Sequence, residues 1–542
     1  MAEILKDIKT DGIVSSSRQP RSYKNSGYSG GGASRTNPAL KGWNYWGGAP
    51  DDDIVANIDT LRQRSRDLYM NSAPVRAGID TITKNVVGAG LRPNPMPNID
   101  VLGMSEPEAV RLTTRILDEW ENFAGTSNCD ANRVNNFYEL TQLLCRSIDI
   151  SGDAFVTMPL IPRHGVAYDQ RLQIIEADCI CDPEGGDAKN GQPDGTIIVG
   201  GVEVGEHGDI TAYYIALQHP LSRTFKTPKN AEPAPRRWVR IPIDGAVSGR
   251  RNILHIMNST ERPGQLRGVP LLSPTILPTK ILDRYLGAEL QAALIQTLVS
   301  VVFESLTPEK LTGELGEIGD SSDLKPTEMP MASGMMMSSP PGEKPNLIQP
   351  THPYNAFPAF VKHNMSIIGA AMGVPYEMLM MTFSASYSAS RAALNLAAQT
   401  FEVRRSRIVN DFCRPVWQAW MDEAVAKGYI YAPGYFRNPN IRRAYQNVAW
   451  VGPKDPIIDP VKEVQAATLR INSGLSTRTA EATRLTGMDF VGIAQQLARE
   501  EQLIKDLGIS ISMAGATVTP TADTHNEGDD DGQNQNDGQS GE

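Results

Sequence analysis

Ser29 stands in Gly27-Tyr28-Ser29-Gly30-Gly31, the spacing of a hydrolase nucleophile elbow. Such an elbow works because a strand leads into the serine and a helix leaves it, which lifts the hydroxyl out of a strained turn. Here the motif sits in "SGYSGGGAS" (26–34), among residues with no hydrophobic periodicity, so Ser29 reads as part of a flexible arm. Asp51-Asp52-Asp53 could gather a divalent cation. The acids open a helical pattern, however, and an N-cap carboxylate with dipole-favoured neighbours explains them better. Cys179-Ile180-Cys181 has no second pair or His cluster to complete a tetrahedral zinc site. The "GAG" at 88–90 lacks the third glycine of a dinucleotide fingerprint, and neither a G-x-x-x-x-G-K-S/T loop nor an H-E-x-x-H helix is present. The seven histidines are scattered. His255 falls in a strand-like run and His363 in a helical one, where a structural role suffices. No catalytic residue, metal ligand or cofactor is therefore expected.

One stretch is notable for the chemistry it omits. Between the apolar "MLMM" at 378–381 and a long helical pattern lie Thr382, Phe383, Ser384, Ala385, Ser386, Tyr387 and Ser388, all uncharged. A catalytic loop would bring a His, an acid or a phosphate cradle.

The elements around these residues follow from periodicity and punctuation. Apolar residues at 54, 58, 61 and 68 predict a helix, and Pro74 separates it from a second that ends in "VVGAG" (86–90), with Gly88 and Gly90 as C-cap residues. Further helices are predicted at 106–124 and 136–149. Between 153 and 258 the chain changes to short β-rich runs such as "AFVTMPLI", "TIIVGGVEV" and "ITAYYIALQ", broken by turn-forming stretches, which predicts an antiparallel module inserted between helical parts. A helix of about 30 residues is predicted from Pro274 to Glu304, with Gly287 as its soft spot. A Pro/Gly/Met-rich insert follows, then a helix at 354–372, a long helix at 388–427 kinked by Pro415, and helices over 461–509.

Charge narrows the partners. The chain of 542 residues carries a formal net charge of −10. Residues 1–49 hold seven basic and three acidic residues; 513–542 hold seven acidic and none basic. An acidic body is a poor gripper of duplex DNA, whose phosphates are neutralised by Lys and Arg. The five cysteines, odd in number and without a leader segment before them, suit reduced thiols in a cytosol. The most apolar long stretch, 281–303, carries Asp283, Arg284 and Glu289, which argues against a membrane span.

Several blocks together resemble the lambda-type portal proteins of tailed phages: "RSRDLYMNSAPVRAGIDTITKNVVGAGLRP" (64–93), "SGDAFV" (151–156), "LHIMNSTERPGQLRGVPLLSPTI" (254–276) and "GVPYEMLMMTFSASYSASRAAL" (373–394). The resemblance spans roughly 50–510. It departs at Met381-Thr382 and Ala385-Ser386-Tyr387, where members often carry Asp and Asn, so this loop is less polar.

The resemblance implies an α+β fold, an elongated portal-type subunit with long stem and wing helices, a β-rich wing module and a small α/β clip, assembling as a ring. It implies a flexible arm at 1–50, a wing at 51–272 with its β-rich part at 153–258, a stem helix at 273–304 and a clip at 305–350. A second stem helix (351–372), a tunnel loop (373–389), a long wing helix (390–427), wing-end and crown helices (428–511) and a disordered acidic tail (512–542) would follow. The implied role is a channel, usually dodecameric, at one capsid vertex of the virion, assembled in the host cytoplasm. Double-stranded DNA passes through without sequence recognition. Implied partners are further copies of the chain, the terminase large subunit, a head–tail connector protein, and the major capsid and scaffold proteins, with no membrane. Met335, Met336 and Met337 would offer the clip an adaptable partner surface, or fill its small core. Arg391, Arg404, Arg407 and Arg414 are candidates for subunit-interface pairing, preferred over facing DNA, with Arg404, Arg407 and Arg414 roughly on one helical face. The competing readings are a capsid or scaffolding protein without a channel, and a hydrolase whose site has no recognisable frame.

Overall fold

A computed structural model of the chain describes residues 38, 47–183, 197–222, 238–296, 301–305, 343–347, 357–382, 387–454, 460–487 and 490–507, with the backbone alone for 301–305 and 343–347. The expected N-terminal arm, apart from a few residues, and the acidic tail lie outside these residues.

Helix α1 (Pro50–Asn71) starts at a proline whose fixed φ suits the first helical position, so Ala49 is the N-cap. The expected Asp N-cap is thereby corrected. The three acids lie in the first turn, where the helix dipole favours them. After Ser72, α2 (Ala73–Val86) turns back, and the Gly88 amide closes it on the Thr83 carbonyl. Strand β1 (Arg92–Pro95) and the short α3 (Ile99–Leu102) lead to α4 (Glu106–Ala124), opened by a Ser105/Glu108 capping box, and α5 (Phe137–Ser151), opened by an Asn136/Glu139 box.

The expected β module divides into two antiparallel sheets. One joins β2 (Asp153–Thr157), β3 (Gln173–Ile175) and β8 (Ile253–Met257), with β2 central. The other runs β4 (Ile197–Val199), β5 (Val202–Val204), β6 (Ile210–Ala216), β7 (Trp238–Pro242) in sequence order. Strand β7 was not legible as a strand, because "WVRIP" follows a Pro-rich stretch. Phe155, Ile180, Val202, Tyr213, Ile215 and Ile253 form the core of this module.

Helix α6 covers Ile276–Gln296, 21 residues, not the expected span to Glu304. Its length is about 31 Å rather than about 45 Å. Residues Val301–Ser305 form β9, paired antiparallel with β10 (Glu343–Leu347). The β-branched Val301 and Val302 favour the strand, since they lose side-chain freedom in a helix and pack well on a pleated surface. The greater part of the expected clip lies outside the described residues. Helix α7 (Phe357–Met372) packs on α6 through Tyr285, whose ring centroid is 4.8 Å from that of Phe360.

The remaining chain contains α8 (Tyr376–Leu379), α9 (Tyr387–Ile408), a π turn (Val409–Cys413), α10 (Arg414–Ala426), α11 (Pro439–Gln446), β11 (Val448–Val451), α12 (Pro460–Asn472), α13 (Arg478–Thr486) and α14 (Phe490–Asp506). The expected disturbance at Pro415 takes the form of that π turn. Pro415 has no N–H to give and its ring crowds the preceding turn, so the helix widens by one residue just before it. The main core forms where α4, α5 and α10 meet. Trp120 lies with ring centroids 5.0 Å from each of Phe137, Trp417 and Trp420. Strands β1 and β11 pair antiparallel and tie the early helices to the late ones.

Candidate functional site

The segment that begins with "GVPYE" is built as an anchored turn. Helix α7 stops at Met372, and Gly373 takes φ +71°, a left-handed conformation that favours glycine. The amides of Gly373 and Val374 donate back to the carbonyls of Ala370 and Gly369. A Cβ on Gly373 would stand 2.8 Å from Cγ2 of Thr400 on α9. Val374 and Leu379 are buried, Leu379 beside Gly78 of α2 and Gly369 of α7. Past Leu379 the chain emerges. Met381 is 66% exposed at φ +53°, and Thr382, also exposed, donates its amide to the Glu377 carbonyl. Phe383–Ser386 lie outside the described residues. Tyr387 opens α9, and Ser388 on its first turn is exposed. An uncharged stretch is thus held at both ends on packed helices.

Four of the arginines behind it have partners within the chain. Arg404 Nη1 lies 3.2 Å from Asp149 Oδ1 of α5, while Nη2 donates to the carbonyl of Met372, the residue before the turn. One cation therefore joins α5, α9 and the C-terminus of α7, where the helix dipole also favours it. Burial raises the Asp149 carboxyl to a pKa of about 6, against the pull of Arg404. Arg405 donates to the carbonyls of Val86 and Asn85, capping α2. Arg407 reaches the Met257 carbonyl at the end of β8, and Arg391 pairs at 2.5 Å with Glu463 of α12. Arg414 is exposed beside α11. The π turn lies between Arg407 and Arg414, so Arg404, Arg407 and Arg414 go to three different places rather than sharing one face. Met335, Met336 and Met337 lie outside the described residues.

A second constellation escaped the sequence reading. Asp153, the first residue of β2, is fully buried. Its Oδ1 accepts from Arg62 Nη2 at 2.6 Å, and its Oδ2 accepts from Arg267 Nε at 2.7 Å and from the Gly268 amide at 3.0 Å. His255 places Nε2 3.3 Å from the same oxygen and Nδ1 3.3 Å from the Tyr213 hydroxyl, with its ring stacked on Phe155. The spare donors of the two arginines satisfy the carbonyls of Ser151, Ala177, Ile180 and Gly200. Burial alone would raise the Asp153 pKa. Arg267, Arg62 and His255 outweigh it and hold the carboxyl well below the usual range. Burial pushes His255 down, so its imidazole stays neutral.

The backbones at this clasp nearly touch. A Cβ on Gly152 would stand 2.3 Å from the Gly268 oxygen, and one on Gly268 2.1 Å from the Gly152 oxygen. "SGD" and "RGVP" are thus two halves of one joint. The available signal was a lone acid at the head of an apolar strand run, and an arginine set between apolar residues and a glycine.

This geometry holds parts of the fold together. Every Asp153 oxygen already has donors. Glu176, Asp178 and His219 lie close enough together to suggest a cation, yet the Arg66 guanidinium pairs with both acids. All five cysteines are free thiols. Among the described residues no helix is long and apolar enough to cross a membrane.

Comparison with known proteins gives a consistent result. The family described as "Phage portal protein, lambda family" matches residues 36–405. Portal protein B of Escherichia phage lambda is 25% identical over 499 residues, covering 88% of this chain and 89% of that protein. The portal protein of Escherichia phage N15 is 24% identical over 532 residues, covering 93% and 96%. Among solved structures, a chain in the neck of a native gene transfer agent particle superposes with a TM-score of 0.41 at 13% identity, covering 79% of this chain and 93% of that one. The matched span contains the clasp, the anchored turn and α9 as far as Arg405.

Proposed function

Because the chain belongs to the lambda family of phage portal proteins, we propose that it is a subunit of a closed ring forming the DNA channel at one vertex of the capsid. Its role is structural. The observation that carries the reading is the family match over 36–405, which takes in the anchored turn and the uncharged Thr382–Ser388 after it.

In this reading residues 373–389 form the tunnel loop, with Thr382, Phe383, Ser384, Ala385, Ser386, Tyr387 and Ser388 facing DNA. The α6 and α7 helices form the stem and 305–350 the clip. The wing takes 51–272 and 390–427, with wing-end and crown helices after it. Duplex DNA carries one negative charge per about 1.7 Å of axis. A ring of about twelve loops bearing a lysine would set about twelve cations at one level and retard the duplex. An uncharged loop touches DNA without holding it. The ring meets capsid and tail components in the virion. Docking of the terminase large subunit and later of a head–tail connector at the clip, with Met335–Met337 as the adaptable surface, completes the proposal. A dodecamer, scaffold contact and assembly in the host cytoplasm belong to it.

The test has two arms. Mass photometry and negative-stain imaging of the purified chain should give rings of about twelve subunits with a central hole. A compact dimer or an open sheet would end the channel reading. In a reconstituted packaging reaction Thr382→Lys with Ser388→Lys should leave rings intact and slow DNA translocation several-fold, with relief at higher salt. Unchanged translocation would remove this stretch from the channel wall.

A further inference from the structure

A cleft of about 610 Å³ opens between α10 and α11, lined by Arg414, Gln418, Arg442, Arg443, Gln446 and Asn447, with no carboxylate among its lining residues. Asp422, at its border, is already committed: Arg442 grips it with two nitrogens, Gln446 donates to it at 3.1 Å and the Tyr435 hydroxyl at 2.8 Å. Arg442 is thereby neutralised. Arg414 and Arg443 are exposed, and neither side chain has a hydrogen bond or ion pair among the described residues. Two guanidiniums therefore face an open cleft with no counter-charge.

We propose that this cleft is the docking site of the acidic C-terminal segment, residues 513–542, of a copy of this chain. The segment carries Asp523, Glu527, Asp529, Asp530, Asp531, Asp537 and Glu542 and no basic residue. Its root is nearby. Val448 of the cleft begins β11, and just past the far end of that four-residue strand the Gly452 carbonyl lies close to Gly487, the C-cap of α13. Strand β11 is about 13 Å long. Helix α14, 17 residues and about 26 Å long, together with its short connector carries the chain at most about 40 Å from Gly487. The residues from 508 to Asp523 can span about 55 Å, enough to return to the same cleft or to that of a neighbouring copy. Tethering raises the local concentration of the segment far above that of any free anion. The inference does not depend on the channel reading.

The test uses the full chain with its seven tail acids neutralised (D523N, E527Q, D529N, D530N, D531N, D537N, E542Q). A fluorescein-labelled peptide of sequence 513–542 is titrated in and read by anisotropy, with a 20-base-pair duplex as the second probe. The neutralised-tail protein should bind the peptide at least tenfold more tightly than the unaltered chain, whose cleft is occupied. Adding Arg414→Glu and Arg443→Glu should weaken binding tenfold or more, and the Gln versions by an intermediate factor. Affinity should fall between 50 and 300 mM salt. Both arginines are exposed and unpaired, so the Gln pair keeps the fold. Peptide binding indifferent to the two arginines, duplex binding without peptide binding, or binding of neither probe would each overturn the proposal.

Discussion

Asp153→Asn preserves shape and removes one charge, and the structure sets its consequence. The Arg62 and Arg267 side chains are 1% exposed and that of Asp153 is 0% exposed. With the carboxylate gone, two buried cations share no anion, and uncompensated burial of one ion-pair partner costs about 3–5 kcal/mol. The variant should lose at least that much. Arg62→Met is milder, because Asp153 keeps Arg267 on both oxygens, while its Oδ1 loses the 2.6 Å bond from Arg62 and the Ser151 and Ala177 carbonyls each lose one donor. About 2 kcal/mol is expected there. The double variant leaves one stranded arginine instead of two, so it should cost about 1–3 kcal/mol less than the sum of the singles. The pH sign follows from the depressed carboxyl of Asp153. Its stabilisation is complete above its unfolded-state value near 4 and is lost only as pH falls through the much lower folded value. Between pH 7 and 8.5 neither it nor the neutral His255 titrates, so the loss should be constant there. The assay is urea unfolding of the unassembled subunit by circular dichroism, with hydrogen exchange at β2 and β8 reporting local opening. A loss under about 1 kcal/mol, or strictly additive singles, would refute the clasp as the joint of the wing.

Three further outcomes rest on single residues. Gly152→Ala and Gly268→Ala each drive a Cβ into a backbone oxygen and should cost about 3 kcal/mol or more. Gly287→Ala, whose Cβ would meet nothing within 4 Å inside α6, should gain about 0.5–1 kcal/mol in the unassembled subunit; thermal melts of the three variants check both signs. Asp149 has a native carboxyl raised by burial to about 6, so its favourable share is complete below about pH 4 and is lost as pH rises through about 6. Asp149→Asn should flatten that loss, by up to about 3 kcal/mol, when melts at pH 4.5 and 7.5 are compared with the unaltered protein.

The sequence by itself determined the elements that depend on near neighbours. Pro50, Gly88, Pro415 and the capping pairs act within one helical turn, so the helices they bound were legible to within a few residues. The family blocks likewise announced the architecture and the uncharged turn. Local reading failed where a residue's state depends on a distant surface. The stretch 301–304 reads as the end of an apolar helix until β10 offers a partner ladder, and Arg92–Pro95 has no strand character until Val448–Val451 arrives. The clasp is the extreme case. Arg62, Asp153 and Arg267 are separated by 91 and 114 residues, and no periodicity links them. A buried charge is tolerable only beside its counter-charge, so tertiary packing alone decided that "SGD" and "RGVP" meet, and it turned three scattered ions into one joint.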